Sequence, residues 1–398
     1  MFTRFADVLR LRALDRRDHL DDRATVLLLF ARFTDELCSG LLVVLLPTLR
    51  RRVGLSVSQV GWCFQAMTAA GAVVEPVSGF AIDLAPRRPL LVGGAAAWGA
   101  ALLLAAGADG FGWLLAAFAL VGVAYGPLAN TADVVLVEAH PHTAERIGAR
   151  STALDTVGAL LAPLGIAATL WAGGDPRVLL VAAGAGALAY AVALARTTVP
   201  RPRPRAPEVH RRAAVAASVR AVAADREARR WVGALLLVEL LDPLEVFEPV
   251  WLSDVAGLSQ ALVAVHVTIG TVAGLVSLLL LDRWLEASDG RRVLVIAAVA
   301  SLVLFPAWLA VPGVLARFGL VALRNAAMAP LWPIVHARAL SALPGHAGAI
   351  TAVTATVGVL PLHAGFGWLA ERVGLTSSLL WLQVGATAAL LALVRERA

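Results

Sequence analysis

Long apolar segments follow one another along the whole chain, and they constrain the fold more than any other feature of the sequence. A helix needs ~20 mostly apolar residues to cross the hydrocarbon core of a bilayer. Twelve such segments, joined mainly by short loops, lie at residues 25–48, 58–79, 89–107, 112–137, 150–171, 177–196, 231–252, 261–281, 292–310, 313–337, 347–369 and 376–394. The sequence therefore predicts an all-α integral membrane protein with twelve transmembrane helices.

The composition also indicates lipid as the main solvent. Hydrophobic residues make up 59% of the 398 residues and charged residues 16%, whereas soluble domains carry ~25% charged residues. The net charge of +6 comes from arginines in loops between apolar segments, not along one face with interleaved aromatic residues. This distribution argues against a nucleic-acid partner and leaves the lipid bilayer as the main surroundings of the chain.

One long connection divides the apolar segments into two groups of six. It covers 197–230 and opens with a run of alternating prolines and arginines at 200–205. We therefore expect a cytoplasmic, basic and amphipathic N-terminal segment at 1–24, a six-helix bundle at 25–196, a cytoplasmic linker at 197–230, and a second six-helix bundle at 231–398.

The arginines also predict the orientation of the chain. Cytoplasmic loops are enriched in Lys and Arg, and a cytoplasmic N-terminus places the arginines of 1–24 and 197–230 on that side. The triplet Arg50 to Arg52 falls on the opposite side and is outnumbered. We expect a monomeric, multi-pass protein of the inner (plasma) membrane with both termini in the cytoplasm.

An internal repeat relates the two groups of helices. Near the end of the first segment the chain reads Pro47 and then Gly-Leu-Ser at 54–56, and near the end of the seventh it reads Pro249 and then Gly-Leu-Ser at 257–259. Six helices separate these points, so the two copies have the same orientation in the membrane. The repeat predicts two pseudo-symmetric bundles around a midplane site.

The loop after the second segment, residues 79–88, resembles the Gly-x-x-x-Asp-Arg-x-Gly-Arg-Arg signature of the major facilitator superfamily. The matching positions are Gly79, Asp83, Arg87 and Arg88. Leu84 and Pro86 depart from the pattern, where Arg and Gly are usual. The resemblance implies the major facilitator fold and alternating access, with these four residues latching the bundles on the cytoplasmic side.

Other stretches resemble particular groups within that superfamily. Residues 40–47 and 158–165 are similar to drug and proton antiporters, and residues 33–61 are similar to exporters of the fosmidomycin-resistance type. The arginine that antiporters usually carry in the fourth helix is missing from 120–130.

Four acidic residues group towards the cytoplasmic ends of the second, fourth and fifth segments, close to the arginines of the signature. They are Glu75, Asp133, Glu138 and Asp155. Opposite charges at this level favour a latch or gate over a substrate site.

An acidic stripe in the seventh segment is the main candidate for a coupling site. It consists of Glu239, Asp242, Glu245 and Glu248. An ionised side chain at the bilayer centre costs at least ~2.5–3.5 kcal/mol, so such residues are functional candidates. Pro243 and Pro249 are expected to open the helix beside the stripe. The alternative is that the outer members, Glu245 and Glu248, are solvated vestibule residues.

The first and tenth segments add charges near the midplane. Asp35 and Glu36 differ by ~100° around the helix, so at most one faces the centre. We favour Asp35, which Arg32 is placed to pair with. Arg324 is expected to meet the acidic stripe, either as a structural pair or in exchange with substrate. His266 and His363 are read either as interhelical hydrogen-bonding residues or as proton-coupling groups.

No metal-ligand spacing, nucleotide-binding loop or nucleophile arrangement stands out, so we expect neither an enzyme nor a cofactor, and a proton or sodium gradient as the driving force. The sequence favours a secondary active transporter of a small-molecule substrate, with proton-coupled efflux of a cationic or neutral amphipathic compound as the leading function. Two alternatives stay open: a lipid or lysolipid flippase of the same fold, and a membrane sensor or scaffold without transport.

Overall fold

The computed structural model describes residues 22–140, 144–200, 220, 224–342 and 360–395. These residues form α-helices, one π-helical turn and short connections, with no strand among them. The chain divides into two compact units, Met1–Ala206 and Pro207–Ala398. The domain boundaries within 197–230 stay a prediction, since most of that segment and most of 1–24 lie outside the described residues.

Helices of the first unit alternate with short turns. They are α1 (Asp22–Val53), α2 (Val57–Leu84), α3 (Arg87–Gly107), α4 (Phe111–Tyr125), α5 (Thr131–Ala139), α6 (Ala144–Trp171) and α7 (Arg177–Ala195). A π-helical turn, Gly126–Asn130, joins α4 to α5.

Helices of the second unit follow the same plan, with more interruptions. They are α8 (Arg226–Glu239), α9 (Asp242–Asp254), α10 (Gln260–Ala287), α11 (Gly290–Ala310), α12 (Val314–Met328), α13 (Leu331–Ala342), α14 (Leu362–Val373) and α15 (Leu375–Arg395). The first part of the predicted span 347–369 lies outside the described residues.

Eight helical stretches of the described chain are long and apolar enough to cross a membrane. α1 is not among them, because three charged residues, Arg32, Asp35 and Glu36, interrupt its apolar sequence. The predicted span 231–252 is also missing, because a turn at Leu240 and Leu241 divides it into α8 and α9. α2 (Val57–Leu84) and the described part of the span 347–369 are not among the eight either, so the omission is not limited to the helices that carry the candidate coupling residues.

The turn that ends the first span is repeated 203 positions later with the same local structure. Gly54 and Gly257 adopt φ angles of +73° and +67°, a region that favours glycine. Ser56 then caps α2 by accepting from the Gln59 backbone N–H at 3.2 Å, and Ser259 caps α10 in the same way. The Gly-Leu-Ser repeat in the sequence thus marks a repeated helix-turn-helix connection.

Three prolines lie at irregular turns or breaks between the described helices. Pro127 belongs to the π-helical turn between α4 and α5, and Pro330 lies between α12 and α13. The break between α8 and α9 falls just before Pro243, as expected, because proline supplies no N–H to continue the helix. The expectation for Pro249 is wrong, since α9 runs through it.

Close packing of α1 on α6 depends on a glycine. A Cβ at Gly158 would lie 2.6 Å from the Phe33 carbonyl oxygen and 3.1 Å from the Glu36 Cβ. Any larger residue at 158 would push the two helices apart at the level of Asp35 and Glu36.

Candidate functional site

A network of hydrogen bonds surrounds Arg32 in the first unit. Its guanidinium donates to one oxygen of Asp133, from Nη2 at 2.6 Å and from Nε at 3.0 Å. Nη1 donates to the Tyr125 hydroxyl oxygen at 3.1 Å, and the Ser151 hydroxyl donates to the second Asp133 oxygen at 3.2 Å. The network joins α1, α4, α5 and α6.

This arrangement corrects the expected pairing of Arg32 with Asp35. The guanidinium turns towards α5, where Asp133 takes two of its N–H groups. The Asp133 carboxylate offers charge-assisted hydrogen bonds to two guanidinium nitrogens at once, whereas the Asp35 carboxylate accepts from Trp98. Asp133, which the sequence grouped with the cytoplasmic latch, is therefore the ion-pair partner of a candidate cavity residue.

Asp35 is almost fully buried, with 3% of its surface exposed. The Trp98 indole N–H on α3 donates to its Oδ1 at 3.0 Å. Glu36 lies partly exposed where α1 meets Gly158 of α6. The two adjacent carboxylates thus have different surroundings, as the helical rotation between them requires.

Arg87 of the signature loop is buried, with 2% exposed. It donates to Glu138 of α5 at 2.7 Å and to the Ile82 carbonyl oxygen at 2.9 Å, while Arg88 is exposed. Asp83 belongs to α2, but its side chain lies outside the described residues. The observed contacts of Arg87 lie within the first unit, and the latch stays a prediction.

The remaining residues of the predicted latch differ from one another. A Cβ at Gly79 meets no described atom within 4 Å, so this structure gives no packing reason for glycine there. Glu75 packs against the π-helical turn, where a Cβ at Gly126 would lie 3.1 Å from its Cγ. Asp155 has a buried oxygen that no described residue bonds.

Arg324 of the second unit is 3% exposed and pairs with Glu248 of α9 at 2.6 Å. It also donates to the side-chain oxygen of Asn325 from Nε at 2.9 Å and from Nη2 at 2.8 Å. Its guanidinium carbon lies 4.3 Å from the Trp308 ring centroid. Glu248 is therefore an ion-pair partner, not a solvated vestibule residue.

The rest of the acidic stripe has separate partners. The Trp332 indole N–H donates to Glu239 at 2.9 Å. His363 Nε2 lies 3.1 Å from Asp242, whose side chain is 53% exposed. Glu245 is exposed, and none of the other described residues gives it a hydrogen bond or ion pair.

Three indole N–H groups bond candidate residues and were not predicted from the sequence. Trp98 bonds Asp35 and Trp332 bonds Glu239, and Trp308 donates to His266 Nε2 at 3.0 Å. Each tryptophan lies in an apolar helix far along the chain from its partner, so the sequence spacing of the two residues does not indicate that they are in contact. Within the described ranges, no group of three or more His, Cys, Asp or Glu residues could hold a metal ion.

A loop residue shows how an exposed carboxylate differs from these buried ones. Asp175 precedes α7, where it accepts from the Arg177 side chain at 2.7 Å and from the Arg177 backbone N–H at 3.0 Å. These hydrogen bonds lower the pKa of Asp175 below its ordinary value. The charged form of this carboxyl group is thus favoured by a neighbouring cation in solvent.

The sequence profile of the Major Facilitator Superfamily matches residues 28–365. This chain belongs to the Major Facilitator Superfamily. The facilitator is therefore a multi-pass membrane transporter and not an enzyme. Its twelve-helix fold, in two pseudo-symmetric bundles, is the one that the sequence predicted.

Solved structures of other facilitators share this fold. The nucleoside transporter NupG is similar with a TM-score of 0.74 and 12% identity, over 94% of this chain and 99% of that one. A NupG point mutant has a TM-score of 0.77 and 13% identity, over 93% and 98%. A bacterial homolog of the human lysosomal transporter Spinster, in an inward-facing and occupied conformation, has a TM-score of 0.68 and 14% identity, over 93% of each chain. None of the curated proteins matches the chain.

Proposed function

We propose that this facilitator is a proton-coupled exporter of small cationic or neutral compounds, and that Glu245 is the carboxylate that exchanges the proton. The observation that supports it is the difference among three neighbours in the acidic stripe. Glu248 pairs with Arg324 and Asp242 lies beside His363, whereas Glu245 is exposed and forms no hydrogen bond or ion pair with a described residue.

The physical reason is the access that protons have to Glu245. Its side chain is exposed, and no described residue forms an ion pair that would hold it in the charged form. A carboxylate held by an arginine gains little from a proton, because the ion pair already offsets its charge. Glu245 is therefore the member of the stripe whose charge depends most on proton uptake and release.

The first unit offers Asp35 as a second candidate for proton exchange. Its single described donor is the Trp98 indole N–H, and a buried carboxyl group accepts that hydrogen bond in either protonation state. The paired carboxylate Asp133 receives the Arg32 guanidinium and the Ser151 hydroxyl instead. In this proposal Asp35 is a proton-carrying group and Asp133 holds the helices together.

The solute class is proposed from the charge of the exposed carboxylates. Asp242 and Glu245 are exposed and Glu239 is partly exposed, and a negative surface attracts cations and repels anions. Neutral polar solutes are compatible with it as well. NupG is described as a nucleoside transporter, so nucleosides belong in the first set of compounds.

The test is transport in proteoliposomes under an imposed pH gradient, with ethidium as the cationic probe and uridine as the neutral probe. We expect flux of one of them to follow the gradient, and Glu245→Gln to abolish the dependence on pH while exchange of the probe continues. Asp289→Asn is the matched control, because Asp289 is an exposed acid in an ion pair with Arg338. Its variant should keep the dependence.

Two results would contradict the proposal. If flux follows a sodium gradient at constant pH, the coupling ion is sodium and not the proton. Coupling that survives the combined change of Asp35→Asn, Glu239→Gln, Asp242→Asn and Glu245→Gln would remove these carboxylates from the mechanism. A fluorescent lysolipid in the same liposomes tests for flippase activity, and the absence of flux for all of these probes would favour a sensor or scaffold.

A further inference from the structure

His266 lies at the centre of a buried polar group in the second unit that the proposed mechanism does not use. Its side chain is fully buried on α10, with 0% of the residue exposed. The indole N–H of Trp308, on α11, donates to Nε2 at 3.0 Å. Nδ1 lies 3.4 Å from Oε1 of Glu248, on α9, without the geometry of a hydrogen bond. The imidazole therefore lies between an N–H donor and a carboxylate.

Counting hydrogens gives the protonation state of this imidazole. An indole N–H donates and never accepts, so His266 Nε2 must carry no proton. A neutral imidazole has one N–H, which must then be on Nδ1 and face Glu248. An imidazolium would place a second N–H against that of Trp308 at 3.0 Å. The geometry thus selects the neutral tautomer with its hydrogen on Nδ1.

The surroundings of the imidazole agree with a neutral ring. The charged groups that face it from the helices packed around it are Glu248 on α9 and the two arginines of α12, Arg324 and Arg317. Two aromatic rings complete the surroundings, with centroids 5.6 Å away for Trp308 and 5.8 Å away for Phe318. A positive imidazole here would meet two cations and one anion that is already paired.

The opposite side of Glu248 is fixed as well. Arg324 binds Oε2, and the Asn325 oxygen accepts two hydrogen bonds from the same guanidinium. Gly270, one turn after His266 on α10, leaves room for the Asn325 amide, which a Cβ there would overlap. One face of α10 thus supplies both the imidazole that faces Glu248 and the space that keeps Asn325 against Arg324.

We propose that His266 is a positioning residue, whose Nδ1–H, fixed by Trp308, holds Glu248 in the orientation that pairs with Arg324. The inference rests on the proposed proton exchange at Glu245, because it divides the acidic stripe into a fixed anion, Glu248, and an exchanging one, Glu245. Glu248 has the Arg324 guanidinium on one oxygen and the imidazole Nδ1 within 3.4 Å of the other. In this proposal the electrostatic contact with the Nδ1–H supplements the ion pair, and Glu248 keeps its charge through the transport cycle.

Substitutions at His266 distinguish positioning from packing, because the two roles rank the variants in opposite orders. Asn places an amide donor where Nδ1 lies, Gln places its amide where Nε2 lies, and Leu fills similar space with no donor. Trp308→Phe is combined with each of the three variants, so that no indole N–H is left unbonded. Positioning predicts that His266→Asn/Trp308→Phe keeps probe flux within about threefold and that His266→Leu/Trp308→Phe loses about tenfold or more. Packing alone predicts that Leu and Gln outperform Asn, because Asn leaves the larger cavity.

The tautomer is tested directly, without any solute, by nitrogen NMR of the full-length protein in nanodiscs. The chain has 8 histidines, and His266→Asn identifies the signal of interest. We expect a protonated Nδ1 and an unprotonated Nε2 at neutral pH. Trp308→Phe is expected to shift the population towards the other tautomer. A wild-type His266 with its hydrogen on Nε2, or as imidazolium, would overturn the inference.

The two proposals fail separately. Glu245→Gln with unchanged dependence on the pH gradient contradicts proton exchange at Glu245, while the NMR signals and the ranking of variants still decide the role of His266. If neither ethidium nor uridine is carried, the ranking is measured by thermal unfolding, and a Leu/Phe or Gln/Phe double variant more stable than the Asn/Phe double variant would overturn the positioning role.

Discussion

Removing Arg324 should destabilise this facilitator far more than removing an arginine from an exposed ion pair of similar length. Arg324 and Glu248 are 2.6 Å apart, with 4% and 14% of their side chains exposed. Arg338 and Asp289 are 2.8 Å apart, with 42% and 59% exposed. Both arginines are on helices of the second unit, so Arg324→Met and Arg338→Met compare the same change at two depths.

The magnitudes follow from burial. Breaking a buried ion pair by removing one partner costs about 3–5 kcal/mol, because the other charge is left uncompensated. Arg324→Met also removes two hydrogen bonds to Asn325 and a cation–π contact with Trp308, so its cost should lie towards the upper end. An exposed pair contributes ~0–1 kcal/mol, and Arg338→Met should fall in that range.

A double variant separates the uncompensated charge from the lost contacts. Arg324→Met/Glu248→Met removes both charges from the same buried region, and replacing a buried pair by apolar residues is often close to neutral. The double variant should therefore regain much of the free energy of unfolding that Arg324→Met loses, as measured by denaturant titration in mixed micelles. Equal costs for Arg324→Met and Arg338→Met, or a double variant less stable than the single, would refute this reasoning.

Three further predictions concern other parts of the chain. Trp98→Phe removes the described donor to Asp35 and should cost about 1–3 kcal/mol in unfolding experiments; an unchanged stability would show that this hydrogen bond contributes little. Gly158→Ala should cost about 1–3 kcal/mol through overpacking of α1 on α6, whereas Gly186→Ala, where a Cβ meets no described atom within 4 Å, should be tolerated; equal effects would contradict the packing argument. The folded-state pKa of Asp175 is lowered, so its ion pair adds stability above the unfolded pKa, and that stability is lost as pH falls through the folded pKa. Asp175→Asn should therefore be less stable than the wild type near neutral pH and equal to it in acid. A difference in stability that grows in acid would contradict this assignment.

Hydropathy and the repeat were enough to predict the architecture. The membrane spans are runs of apolar residues that must lie in hydrocarbon, and these runs can be identified in the sequence itself. The repeated turn was also visible, because Gly54 and Gly257 are needed for a positive φ and the serines that follow cap the next helix. Apolar runs, glycines with positive φ and serine caps each depend on a few neighbouring residues, so they can be recognised from the sequence alone.

The partners of the buried charges could not be predicted in the same way. Arg32 and Asp133 are 101 residues apart, and Arg324 and Glu248 are 76 residues apart. A hydropathy profile gives the depth of a residue in the membrane but not the rotation of its helix, so it does not choose between Asp35 and Asp133 as the partner of Arg32. Packing at residues such as Gly158 fixes the rotation.

The interruption of the seventh span was only half predictable. Pro243 and Pro249 are both helix-breaking residues, yet only the first follows a break. At the first position the turn at Leu240 and Leu241 leaves proline at the start of α9, where its missing N–H costs nothing. At the second, α9 continues through Pro249, which is buried, and the residues that bury it are not indicated by the local sequence.

Proton release on solute binding is the most direct measurement of exchange at Glu245. Purified protein in a weakly buffered detergent solution is mixed with ethidium or uridine, and a pH indicator records the protons released. We predict release by the wild type and by Asp289→Asn, and none by Glu245→Gln at the same solute occupancy. Equal release by Glu245→Gln and the wild type would contradict proton exchange at this carboxylate.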